Sequence, residues 1–349
     1  MSNASVVLVT GGAGYIGSRL VPKLLAAGYR VRVLDAQFFS NGLELLMSHP
    51  GPEFIKGDIR DKLVVEKALQ SARTVIHLAA VANDPSFNSA PEIGQSINID
   101  CLPHLMGSAK RLGCQRFIYA SSASVYGISA EPFVDENQAC IPVTDYNRFK
   151  AQGEKILFDL TDSNFQTVAV RAATVCGWSP RQRLDLTVNI LTANALARGE
   201  ITVFGGSQYR PNVHIGDLTR LYMMLVQRES LSSICGTAIN VGYENHTVSD
   251  IADQVKNIVD KYFSTDVPIT STASNDVRSY RLDSRRVQQQ LGFEFIYSIR
   301  DAVLEICEQW QSGKFTDSVD VLSDTRYHNV RNMQHNDWSF PPCGDTSSC

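Results

Sequence analysis

Cysteine is scarce in this chain, with eight residues among 349. That density is too low for a disulfide scaffold, and Cys101, Cys114, Cys176, Cys235 and Cys307 sit inside apolar stretches. They read as reduced packing residues of a cytoplasmic protein. No apolar run approaches the roughly 20 residues needed to cross a bilayer. The N-terminus lacks a charged region followed by a cleavable apolar stretch. No Lys/Arg-rich tract is present, and 32 basic against 36 acidic residues leave a net charge of −4. This excludes a protein that tracks nucleic-acid phosphates. Metal-ligand spacing is missing too: His328, His335, Cys343 and Cys349 follow no zinc pattern. What remains is ordinary for a globular protein, 44% apolar and 19% charged, which excludes a disordered chain. At about 150 residues per domain, the length allows two domains or one large one.

The first 180 residues alternate strand and helix signals. Short apolar runs at 6–9, 31–34, 53–55, 74–78, 116–120 and 167–170 read as strands. Helical spacing covers 16–27, 62–70, 95–112 and 144–160, with a break or bend expected near Pro103. Such alternation predicts βαβ units and a Rossmann-type, doubly wound parallel sheet of the α/β class. Beyond Arg171 the pattern loosens. Helices are expected over 186–198 and 248–262, and a strand turning into a helix over 213–227. The expected organisation is a nucleotide-binding domain over 1–175, with segments near 210–245 returning to it. A smaller substrate domain follows over 176–315, and then a polar, surface-lying tail over 316–349.

Thr10-Gly11-Gly12-Ala13-Gly14-Tyr15-Ile16-Gly17 lies between the first strand and the first helix. Gly11, Gly14 and Gly17 there suit a dinucleotide: one makes the tight turn, one lets the backbone approach a pyrophosphate, and one lets helix and strand pack closely. The helix N-terminus offers free N–H groups and a positive dipole end to phosphates. Asp35, ending the second strand, can accept both hydroxyls of an adenosine ribose and would repel a 2′-phosphate, so NAD is expected rather than NADP. Asp58 could reach an adenine amino group, with Ile59 packing on the ring. Leu78, Ala79 and Ala80 end the fourth strand and let the backbone lie against the cofactor. His77 reads as a core histidine.

Tyr146 and Lys150, four residues apart, share one helix face. A phenol with a pKa near 10 is a poor base at neutral pH. A nearby ammonium would favour the phenolate, and could also bond ribose hydroxyls of the nicotinamide half. Tyr146 could then take the proton of a substrate alcohol as its hydride departs. Ser122, at the end of the fifth strand, is placed to bond the reacting oxygen, whereas Ser121 and Ser124 read better as strand-end serines.

Together the glycine loop, Asp35, Asp58-Ile59, His77-Leu78-Ala79-Ala80, Asn98, Ser121-Ser122-Ala123-Ser124-Val125-Tyr126-Gly127 and Tyr146…Lys150 resemble the extended short-chain dehydrogenase/reductases. Within these, the chain is similar to the NAD-dependent sugar-nucleotide epimerase/dehydratase family over roughly residues 5–310. The resemblance implies an isomerase or oxidoreductase with Ser122, Tyr146 and Lys150 as its catalytic triad. It implies Asn98 as a support of the site, and Arg210, Arg278 and Asn189 as partners of a nucleotide-sugar diphosphate. Guanidinium pairs suit such a dianion. Asn83 and Asp84 should face the sugar, with Ser124 and Thr174 completing the expected substrate set. The resemblance also implies a homodimer packed through helices 95–112 and 145–160. Dehydratases of the family carry an Asp–Glu pair beside the catalytic hydroxyl, and C3/C5 epimerases a cysteine; here Ala123 and Ser124 stand there. Epimerisation through a transient 4-keto sugar is therefore expected. Net-redox 4-dehydrogenation or 4-ketoreduction, 4,6-dehydration and reduction of a non-sugar remain the alternatives.

Overall fold

Val6-Val7-Leu8-Val9-Thr10 is apolar at four successive positions because both faces of its strand are covered. The computed structural model describes residues 5–39, 42–44, 51–129, 131–273, 279–315 and 320–335. Six strands come first in the chain: β1 (Val6–Thr10), β2 (Arg30–Asp35), β3 (Glu53–Lys56), β4 (Ala72–His77), β5 (Arg116–Ser122) and β6 (Gln166–Ala172). After β7 (Thr174–Cys176), β8 (Ile201–Phe204) and β9 (Tyr209–His214) comes β10 (Thr237–Val241). Strands β1–β6 and β10 form one parallel sheet in the order β10-β6-β5-β4-β1-β2-β3.

Six helices accompany the first half: α1 (Gly17–Ala26), α2 (Lys62–Leu69), α3 (Asp84–Ser89), α4 (Pro91–Gln95), α5 (Leu102–Arg111) and α6 (Asp145–Asp159). Side chains alternate across the sheet with period two. Val7, Val9, Ile76, Ile118 and Val168 pack on one face with Leu20 and Leu24 of α1. Leu8, Val75, Phe117 and Ala169 pack on the other with Val65 of α2, Leu105 of α5 and Leu157 of α6. The chain runs outward from β1 to β3, then returns to place β4 on β1's other side. This reversal opens a crevice beyond the carboxyl ends of β1 and β4.

The second half adds α7 (Thr187–Arg198), α8 (Ile215–Gln227), β11 (Glu244–Thr247), α9 (Val248–Phe263) and β12 (Ile269–Thr272). It continues with α10 (Arg285–Leu291), α11 (Ile299–Gln311) and α12 (Asn329–His335). Strands β7, β9 and β11 make a three-stranded sheet, and β8 pairs with β12. Helices α7, α9 and α11 share a core with Ile201 and Val203 of β8, while α8 packs on the large sheet through Leu218, Leu221 and Leu225.

Two expectations change. The helical run before β5 breaks not at Pro103 but at a π-helical turn, Ser96–Asp100. Pro103 sits in the first turn of α5, where its missing N–H costs nothing. The C-terminal segment is not surface-lying over 320–335. Val321, Leu322 and Met333 are buried, as are the polar His328, Asn329 and Asn332. Val321 and Leu322 join Leu184, Ile306 and Phe315 in a core of their own. A polar composition concealed this, because half of what the segment buries is amide and imidazole.

Candidate active site

The loop after β1 is shaped by lack of space. Gly11 has φ +70°, and a Cβ there would lie 2.6 Å from the backbone nitrogen of Ala79. A Cβ on Gly17 would meet the backbone of Gly12. Helix α1 begins with no side-chain cap at Ile16; Ser18 and Arg19 donate to the carbonyls of Gly14 and Ile16, and the positive end of the helix faces the cavity through Ile16 and Gly17. Gly11, Gly14, Tyr15, Ile16, Gly17, Asp35, Asp58, Ile59, Leu78, Ala79 and Ala80 all line one cavity. Asp35 accepts from the backbone nitrogens of Ala13 (2.9 Å) and Gln37 (2.7 Å), and burial raises its pKa. These residues fit NAD: a glycine loop without room for side chains, an uncapped helix end and a carboxylate at the ribose position. Asp58 lines the cavity, but both its oxygens are held by Arg60, at 2.6 Å for the shortest pair.

Asn98 does not line the cavity. It projects from the π-turn and bonds the backbone of Val81 on both sides, accepting from the nitrogen (2.9 Å) and donating to the oxygen (2.8 Å). It thus sets the course of the 78–82 wall. His77 is a core residue, 2.6 Å from the Thr10 hydroxyl and stacked on Tyr119. Desolvation pushes its pKa down to about 3, so it is neutral.

At the end of β5, the Ser122 and Ser124 hydroxyls lie 2.7 Å apart. Thr144 caps α6 by accepting from the Asn147 nitrogen, and donates to Asp84 at 2.6 Å. That cap fixes where Tyr146, one residue into the helix, projects. Lys150 donates to the Ala120 carbonyl at 2.7 Å, and its Nζ lies 6.0 Å from the Tyr146 ring centroid. Ser122, Tyr146 and Lys150 are therefore brought together. Their electrostatics depart from expectation. Desolvation, then the Asp84 carboxylate, push Tyr146 up to about 12. The opposing pull comes from Arg183, Ser122 and the Asn83 backbone rather than from Lys150. Desolvation also pushes Lys150 down to about 8, against the pull of Glu154.

Several residues at the site were given no role by sequence reasoning. Arg183 lines the cavity and forks onto Asp185 at 2.8 and 3.0 Å; Asp185 also accepts from Asn83 at 3.1 Å. This pair spans the gap between the loop after β4 and the loop before α7. Beneath Ser122, Ser121 donates to Glu154, Arg171 forks onto the same carboxylate (2.6 Å), and Arg171 also donates to Tyr126 (2.7 Å). Arg181 and Asn329 complete the cavity wall. Closely spaced Arg181, Arg183 and Asp185 were the one available signal; Asn329 had none.

The expected substrate residues are divided. Asn83 and Asp84 stand at the catalytic end. Asn189 is fully buried, accepting from the Gly177 nitrogen (3.0 Å) and donating to the Tyr15 hydroxyl (3.1 Å) and Arg183 carbonyl (2.9 Å). It braces the 177–183 loop against the glycine loop. Thr174 on β7 pairs with Asn212 of β9, the strand that carries half-buried Arg210. Arg278 lies outside the described residues. Among the described residues, no helix is long and apolar enough to cross a membrane, and no His/Cys/Asp/Glu group could hold a metal.

The NAD dependent epimerase/dehydratase family model matches residues 7–242. The UDP-glucose 4-epimerase of Lactobacillus helveticus is 27% identical, covering 88% of this chain and 97% of that protein. UDP-glucuronic acid decarboxylase 1 of Arabidopsis thaliana is 28% identical, covering 85% of this chain and 68% of that one. The crystal structure of a UDP-glucose 4-epimerase from Thermotoga maritima, with UDP-glucose, superposes with a TM-score of 0.78 at 26% identity, covering 88% and 99% of the two chains. The chain belongs to the NAD-dependent epimerase/dehydratase family, and it is an enzyme that uses NAD.

Proposed function

We propose that this enzyme is a nucleotide-sugar 4-epimerase. The observation that carries the reading is the company Tyr146 keeps: Ser122 and Lys150 beside it, and Ala123 and Ser124 where a dehydratase would hold an acid and a base. Bound NAD would accept the C4 hydride and return it. Tyr146 takes the proton of the C4 hydroxyl, with Ser122 bonding the same oxygen. Lys150 would bond the ribose hydroxyls of the nicotinamide half, while Arg183 and the Ser122 hydroxyl favour the phenolate. After the keto sugar turns over, Tyr146 returns the proton on the other face. Asn83 and Asp84 hold the hexose. Arg210 and Arg278 clamp the nucleotide diphosphate, and two copies of the chain pair through α5 and α6.

Incubation with a panel of UDP- and dTDP-hexoses tests the reading. The expected product has the mass of its substrate, forms without NADH accumulation, and carries no deuterium at C5 when made in heavy water. A product lighter by one water would make the enzyme a dehydratase. Loss of carbon dioxide from a uronic acid sugar would make it a decarboxylase, and steady NADH release a 4-dehydrogenase.

A further inference from the structure

Buried guanidinium groups near the site have carboxylate partners: Arg171 has Glu154 and Arg183 has Asp185. Arg181 is the contrast. It is 2% exposed, yet among the described residues no carboxylate lies within ion-pair distance of it. Its Nη2 donates to the neutral Oδ1 of Asn329 at 2.6 Å. Its guanidinium carbon lies 4.6 Å from the centroid of the Phe39 ring. Its Nε is enclosed and bonds to nothing. Its backbone nitrogen donates to Ser18 of α1, which anchors the residue beside the glycine loop. Asp185 and Asp35 act on its charge without bonding it; Asp185 is already forked by Arg183, and Asp35 is engaged by two backbone N–H groups. Desolvation, then the charge of Arg183, push Arg181 down to about 9.

Burying a cation against a single amide is costly unless an anion completes the arrangement. Arg181 lines the same cavity as Gly14, Tyr15, Ile16 and Gly17, where the uncapped start of α1 awaits phosphate oxygens. The anionic part of the cofactor is its diphosphate. The residue that holds Arg181 comes from the C-terminal segment, which is tied down by the bond from the Leu184 nitrogen to the Tyr327 carbonyl (2.9 Å) and by packing of α12 on α3.

We infer that Arg181 is a cofactor-binding residue whose guanidinium meets the NAD diphosphate, and that Asn329 of the C-terminal segment aims it. Residues 320–335 thereby form one wall of the cofactor site. The sugar chemistry plays no part in this inference.

Binding of NAD, ADP-ribose and adenosine to the full chain tests it without any sugar. Arg181→Met should weaken NAD and ADP-ribose alike, by about 10- to 100-fold, the range for hydrogen bonds to charged groups. Adenosine, which has no phosphate, should bind within about twofold of the parent. Asn329→Asp sets a carboxylate beside the guanidinium and neutralises it in place. It should weaken the same two ligands by at least about 10-fold, and it gives the answer should Arg181→Met fail to fold. Equal weakening of adenosine would reduce Arg181 to a packing residue and overturn the inference. Unchanged NAD and ADP-ribose affinity in Asn329→Asp would overturn it as well.

Discussion

The network beneath Ser122 and the cofactor end of the crevice handle buried polarity in opposite ways. Beneath Ser122, Ser121, Glu154, Arg171, Tyr126 and Asn240 form a chain in which each group's charge or hydrogen bond meets another's. At the cofactor end, the helix start lacks a cap, glycines leave no room for side chains, and Arg181 keeps an unbonded Nε. A self-satisfied network fixes geometry, because each member holds its neighbours in one arrangement. An incomplete one specifies what the ligand must bring. The catalytic end is built to hold Tyr146 in place, and the cofactor end to be completed.

The sharpest test of the catalytic end removes its acting group. Tyr146→Phe keeps the ring and deletes the hydroxyl, so turnover should fall by about 10²–10⁴-fold with melting behaviour unchanged. Near-parental turnover would take Tyr146 out of the reaction. Next comes the network beneath it. Arg171→Ala leaves the Glu154 carboxylate buried at 3% exposure, with the Ser121 hydroxyl still bonded to it and the Lys150 ammonium as a nearby charge but without its forked partner. The expected loss of unfolding free energy is about 3–5 kcal/mol, measured by denaturant titration. A loss below about 1 kcal/mol would place the pair in the class of surface ion pairs.

Lys150 sharpens the comparison through pH. Its folded pKa is pushed down to about 8 by desolvation, below an unfolded value of about 10.4. Between those values the unfolded chain holds the extra proton, so the parent gains stability as pH rises through the window. Lys150→Met lacks that gain. Its stability relative to the parent should therefore decline by about 3 kcal/mol between pH 7 and 10.5. A difference independent of pH would show that the ammonium is not desolvated. The smallest effect belongs to the diphosphate contact proposed for Arg210. Arg210→Ala should weaken nucleotide-sugar binding by about 10- to 100-fold and leave NAD affinity unchanged. An effect on NAD alone would move Arg210 to the cofactor side.

The parallel sheet, the glycine loop and the Tyr146–Lys150 face were legible because each is local. Strand and helix periods show within a few residues, and a four-residue spacing on a helix needs no tertiary knowledge. Asp35 was readable for the same reason, since it ends a strand one βα unit after the loop. The electrostatics were not. Proximity of Lys150 suggested a lowered Tyr146 pKa, but desolvation, which depends on how completely the fold surrounds the phenol, raises it, and the opposing pull comes from Arg183, Ser122 and the Asn83 backbone.

By itself the sequence determined the doubly wound architecture and the dinucleotide loop, and it put Ser122, Tyr146 and Lys150 at the ends of elements that a parallel sheet must bring together. Only the tertiary structure decided that Asn189 is an internal brace and that a polar C-terminal segment is built into the core. Only it set Arg181 and Asn329, 148 positions apart, within 2.6 Å of each other at the cavity wall. Those outcomes rest on burial and on pairing between distant loops, and neither leaves a periodic trace in the chain.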